Sequence, residues 1–129
     1  MIHHRLVTVL LLAALALAGC NPRALRESFS LPSPSERLLS RGIGQYESGA
    51  YDEAMQSLQR ALDEGLDRDS DKARARKYLA FIHCISGREA RCREEFRKAL
   101  EVYPRLELDP AEAGHPIWGP VFRSVKGRR

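Results

Sequence analysis

Two segments, YESGAYDEAMQSLQRAL (46–62) and SGREARCREEFRKALEVYP (86–104), decide the fold. Each opens near a glycine and continues with apolar residues at three- and four-residue intervals, the spacing of one helix face. Superposed at an offset of 38 residues, Gly49 falls on Gly87, Leu58 on Phe96, Ala61 on Ala99 and Leu62 on Leu100. Ala54 then falls on Cys92 and, upstream, Gly42 on Ala80. A chain that matches itself in this way uses one supersecondary unit twice. Working outward, the periodicity predicts helices over 35–48, 51–64, 71–86 and 88–102. The breaks between them fall at Gly49, around Gly65 to Ser70, at Gly87 and at Pro104. No strand pattern competes, so the expected class is all-α. Ser33-Pro34-Ser35-Glu36 has the form of a capping box, with proline at the first helical position where its missing N–H is not needed.

The small residues carry the packing argument. Paired helices approach closely only where a side chain is small, and a large one would force them apart. Glycine or alanine in the first helix, a glycine turn, then small, large and Ala-Leu in the second resembles the tetratricopeptide repeat, with Pro104 following. The second copy departs from that pattern at Glu89 and Cys92, where an aromatic and an alanine are usual. The offset also exceeds the repeat's 34 residues, with the excess in Asp63 to Asp71. The resemblance implies a groove lined by the first helix of each pair, here Leu39, Ile43, Tyr46, Glu47, Lys77 and Phe81. Such a mixed apolar and charged surface suits a peptide or a partner helix. Two repeats are too few to complete a core, since about three are needed. In the tail, Asp109-Pro110-Ala111-Glu112 starts a short turn, and Ile117, Trp118, Val121, Phe122 and Val125 recur at helical spacing. They predict a C-terminal capping helix on the second pair, which could itself cover the groove.

The amino terminus carries a different signal. His3, His4 and Arg5 precede Leu6–Ala18, a run of 13 residues without a charge. That length suits a signal peptide and falls short of the roughly 20 residues that span a bilayer. Leu17-Ala18-Gly19-Cys20 closes the run and resembles the lipobox of bacterial lipoproteins. The resemblance implies cleavage after Gly19 and acylation of Cys20; several acyl chains hold far more firmly than one, at about 0.8 kcal/mol per buried methylene. Asn21 stands where aspartate retains many lipoproteins in the inner membrane, so the expected location is the periplasmic face of the outer membrane. The chain therefore divides into a signal peptide (1–19), an acylated terminus and linker (20–34), two repeats (35–104) and a capping segment (105–129). Pro22, Pro32 and Pro34 with several serines mark the linker, and about 14 flexible residues reach roughly 20 Å.

The 21 basic and 17 acidic groups give a formal charge of +4. Removing the signal takes away Arg5 and leaves about +3. The basic residues are interleaved with Glu and Asp, which reads as solvated helix faces, and no nucleic-acid partner is implied. With Cys20 assigned to lipid, Cys84 and Cys92 remain as a pair in a compartment that permits disulfides. The repeat alignment sets them about one turn off the closest register, so a bond and two buried thiols both remain open. A bond closing so short a loop stabilises by about 2.5 kcal/mol in the chain-entropy picture.

A metal set of His83, Cys84, Cys92 and His115 is disfavoured, because adjacent helical residues point about 100° apart. Asp67, Asp69 and Asp71 mimic the start of a calcium loop, yet Lys72 stands at the glycine position and Tyr78 at the terminal glutamate. An acidic helix cap is the better reading. His83 reads as a core or groove histidine, and His115-Pro116 as a turn. No nucleophile elbow, phosphate loop or zinc-protease motif is present, so neither an enzyme nor a cofactor is expected.

The segments FIHCISGREARCREEFRKALEVYP (81–104) and DPAEAGHPIWGPVF (109–122), with the lipobox, are similar to the TssQ family, repeat-containing lipoproteins associated with type VI secretion. The shared features are Cys84 and Cys92 flanking Ser86-Gly87-Arg88-Glu89, and the Gly114–Trp118 segment. The resemblance implies an accessory, membrane-anchored scaffold that meets protein components of that machine. The broader alternative is an adaptor lipoprotein for outer-membrane assembly or peptidoglycan enzymes.

Overall fold

In the computed structural model, which describes residues 31–128, the chain turns helical where Ser33 can cap it. The Glu36 amide donates to the Ser33 hydroxyl at 3.1 Å, and the Ser33 amide donates to the Glu36 carboxylate at 2.8 Å. From this reciprocal cap runs α1 (Pro34–Glu47), followed by α2 (Tyr51–Glu64), α3 (Asp69–Ile85), α4 (Glu89–Val102), the single turn α5 (Pro110–Ala113) and α6 (Trp118–Lys126). The described residues contain no strand, and the domain is all-α. No helix among them is long and apolar enough to cross a membrane. The lipobox, Cys20, the apolar run and most of the linker lie outside the described residues.

The internal match of the sequence reappears in the turns. Gly49 and Gly87 take φ of 82° and 73°, the left-handed region where glycine carries no Cβ penalty. Past each glycine the next amide reaches five residues back, Ala50 to Gln45 at 2.8 Å and Arg88 to His83 at 2.9 Å. The glycine amides reach three residues back, to the Tyr46 carbonyl at 3.0 Å and to the Cys84 carbonyl at 3.1 Å. Each of these bonds recurs at the same 38-residue offset, and together they satisfy carbonyls that a helix end otherwise leaves unpaired.

These turns fold α1 along α2 and α3 along α4, while α3 also touches α1 and α2. Two cores result. One joins Leu39, Ile43, Ala54, Leu58, Ala61 and Leu66 to Ala75, Leu79 and Ile82 of α3. The other joins Ala73, Ala80, Phe81 and Cys84 of α3 to Cys92, Phe96, Ala99 and Leu100, then to Leu106, Trp118, Val121, Phe122 and Val125. Because α3 serves both cores, it is buried on nearly every side, as expected of a central helix.

Three expectations need correcting. Helix α3 begins at Asp69, two residues earlier than the periodicity indicated. Its acidic start makes no side-chain cap; Asp69 pairs with Lys72 at 2.8 Å and the buried Asp71 with Arg68 at 2.7 Å. The tail forms the short turn α5 and the capping helix α6, as read, but Ile117 lies outside α6 and is 48% exposed while Trp118 is buried. Proline at 116 and glycine at 114 interrupt the helix, which places Ile117 in the intervening turn.

Gly42 and Gly44 lie two residues apart in α1 with opposite surroundings. A Cβ on Gly42 would come within 2.7 Å of the Leu58 side chain and 3.1 Å of its backbone nitrogen, whereas one on Gly44 meets nothing within 4 Å. Alanine gains about 1 kcal/mol of helix propensity over glycine. Overpacking against the fully buried Leu58 loses about 1–3 kcal/mol. Gly44→Ala should therefore stabilise the domain by about 0.5–1 kcal/mol and Gly42→Ala should destabilise it, as read by urea unfolding followed by circular dichroism.

Candidate protein interaction site

The six groove positions do not form one open surface. Leu39 and Ile43 are buried in the first core, Tyr46 is half-buried and Glu47 is exposed. Lys77 and Phe81, one helical turn apart on α3, lie under the tail. Phe81 stacks on Trp118 with ring centroids 4.4 Å apart, and His115 stacks on the other face of Trp118 at 3.3 Å. The Trp118 indole donates to the Glu112 carbonyl at 2.9 Å. Lys77 donates to both Glu112 carboxylate oxygens, at 2.7 and 2.8 Å, with the two side chains only 10% and 18% exposed. The second half of the groove is thus closed within the chain, and as open lining Lys77 and Phe81 are corrected.

The remaining surface belongs to α1 and the start of α2. Tyr46 packs against Tyr51 at 5.7 Å, Tyr78 at 5.0 Å and Phe81 at 6.1 Å, so a continuous series of rings runs from exposed Tyr51 inward to His115. Burial pushes the Tyr46 phenol up to about 12, aided by Tyr51, Tyr78 and Glu112. It therefore stays protonated at any physiological pH, an amphipathic group with an apolar ring and a polar tip. Tyr78 and Tyr51 were not among the expected groove residues. Tyr78 precedes Phe81 by three positions, a spacing that puts both on one stripe of α3.

Glu112 was read only as part of a turn. It performs two functions: its carboxylate accepts from the Asp109 amide at 3.1 Å, bracing α5, while it neutralises Lys77. Gly119 allows α6 to close over α5, since a Cβ there would lie 2.5 Å from the Ala113 carbonyl oxygen.

Cys84 and Cys92 sit with their sulfurs at bonding distance, 2.05 Å, and their Cα atoms 5.1 Å apart. The expected misregister does not arise, because the turn between α3 and α4 is so short that the last turn of one helix faces the first turn of the other. At the equivalent positions of the first pair stand Tyr46 and Ala54, so the cross-link occupies a place that packing alone fills in the other copy. His83 turns away from the cysteines; it is 7% exposed and its Nδ1 has no hydrogen-bond partner. Among the described residues no group of three or more His, Cys, Asp or Glu is placed to hold a metal ion.

Glu112→Leu should destabilise the domain by about 3 kcal/mol, since it leaves Lys77 buried and unpaired. Adding Lys77→Met should restore most of that loss, because an apolar pair needs no desolvation of charge. Urea unfolding monitored by the emission of Trp118, the sole tryptophan, reads both variants. A second expectation concerns pH. Burial first, then Arg88 and Arg91, hold His83 below the ordinary imidazole value of 6.5. The unfolded chain therefore binds a proton that the folded one resists, so stability is full above 6.5 and falls as pH drops below it. His83→Gln should flatten that limb of a stability-versus-pH curve. Comparison with protein-family models, with curated proteins and with solved structures finds no match for the chain.

Proposed function

We propose that this chain is an envelope lipoprotein, held by acylated Cys20 on the periplasmic face of the outer membrane. Its helical domain acts as a non-catalytic protein interaction scaffold, an accessory component of a type VI secretion machine of the TssQ kind. The observation that carries the reading is Leu17-Ala18-Gly19-Cys20 at the end of the charge-free stretch that begins at Leu6. The cysteine pair supports it, since disulfides persist in oxidising compartments.

The domain's architecture is read here as two tetratricopeptide-like hairpins plus a closing tail. Support comes from the bond-for-bond recurrence of the turns and from Gly42 against Leu58. The Gly114–Trp118 segment, which carries part of the resemblance, is the segment that stacks on Phe81. Partner recognition accordingly falls to the α1 side, where Tyr46, Glu47 and Tyr51 stay accessible. Tyrosine is among the residue types that dominate interface energetics.

Intact mass of the chain purified from a bacterial envelope tests the anchor. The wild type should begin at residue 20 and carry diacylglyceryl and acyl groups, whereas Cys20→Ser should lose the lipid and leave the membrane fraction. An unmodified sulfur at residue 20 sinks the anchor. Deletion of the gene should abolish effector secretion with the envelope intact; an altered envelope with normal secretion would favour the assembly or peptidoglycan adaptor instead.

A further inference from the structure

On the other side of α3 lies a cleft that the proposed role leaves unused. It holds about 650 Å³ between α2 and α4, within the size range of ligand sites. Its floor is Met55 and Leu79, the latter 3% exposed, together with the His83 imidazole. His83 is the only buried histidine among the described residues, and its Nδ1 is unpartnered.

The walls carry charge of both signs, but the two signs are not equally free. Glu94 is engaged by Arg97 at 2.6 Å and Glu95 by Arg76 at 3.0 Å. Lys98 sits between both glutamates at 3.6 and 3.5 Å. Arg60 on α2 and Arg91 on α4 are exposed and have no ion-pair or hydrogen-bond partner among the described residues. After internal pairing, the uncompensated charge at this cleft is therefore two guanidinium groups, one on each wall, above an apolar floor.

The α2 side from Met55 to Arg60 and the α4 side from Arg91 to Lys98 extend about 7 and 10 Å at 1.5 Å per residue, room for roughly two turns of a docked helix. We propose that this cleft docks an acidic amphipathic helix of a partner protein. Its apolar side chains would rest on Met55 and Leu79, and its carboxylates would meet Arg60 and Arg91 bidentately. This surface is separate from the α1 face, and the inference does not depend on the lipid anchor or on the secretion reading.

The test uses the full-length chain and a labelled peptide of about four helical turns, rich in glutamate, with two leucines one turn apart. A matched peptide with lysine for each glutamate is the control. The acidic peptide should bind, weaken with added salt, shift the ring resonances of His83, and lose at least about tenfold in affinity to Arg60→Glu with Arg91→Glu. Both arginines are exposed and unpaired, so the double variant should keep the fold, which circular dichroism verifies. Equal binding of the lysine peptide, or affinity indifferent to the two substitutions, overturns the proposal. Concentration-dependent self-association of the chain that the double variant abolishes would also overturn it, assigning the cleft to the acidic Asp63–Asp71 stretch of a second copy.

Discussion

Everything in this domain depends on helix α3 being buried on nearly all sides. Ala75, Leu79 and Ile82 face the first helix pair, while Ala73, Ala80, Phe81 and Cys84 face the second. A helix with so many apolar positions leaves little of its surface to water, so each apolar flank needs a cover. The first flank is covered by α1 and α2, and the second by α4. What remains is the stripe that carries Lys77 and Phe81, which the other three long helices leave uncovered.

The tail resolves that shortage. Helices α5 and α6 bury the stripe with aromatic stacking and an ion pair. Trp118 buries on the order of 200 Å², worth about 5 kcal/mol as an upper estimate. Glu112 supplies the charge that the Lys77 ammonium needs once water is excluded. The ion pair adds specificity more than stability, since desolvation offsets most of its attraction, and it sets where α5 must sit. On the α1 side, Tyr46 and Tyr51 keep aromatic surface accessible beside the closed stripe.

The two helix pairs are alike in backbone and unlike in how they are held. Gly42 lets Leu58 approach in the first; in the second the corresponding contact lies beside a cross-link between Cys84 and Cys92. The outer face of α4 bears paired charges, Arg97 with Glu94 and Glu101, and Arg93 with Glu89. Exposed pairs of this sort contribute little to stability, and they account for a basic composition without a basic patch. Arg60 and Arg91, left out of that pairing, give the α2–α4 cleft its character.

Local features were legible in the residues alone. The all-α class, the four long helices to within two residues, the Ser33–Glu36 cap and the glycine turns follow from 3.6-residue periodicity and from glycine's access to positive φ, both properties of a few neighbouring residues. Tertiary structure alone decided what covers what. That Lys77 and Phe81 are sealed, that Glu112 rather than solvent balances Lys77, that Ile117 faces outward and that the cysteines meet all depend on where distant segments arrive. A residue 35 positions away leaves no periodic trace in the local pattern. Periodicity reports that a face is apolar, but only packing determines whether another part of the chain or a partner takes it.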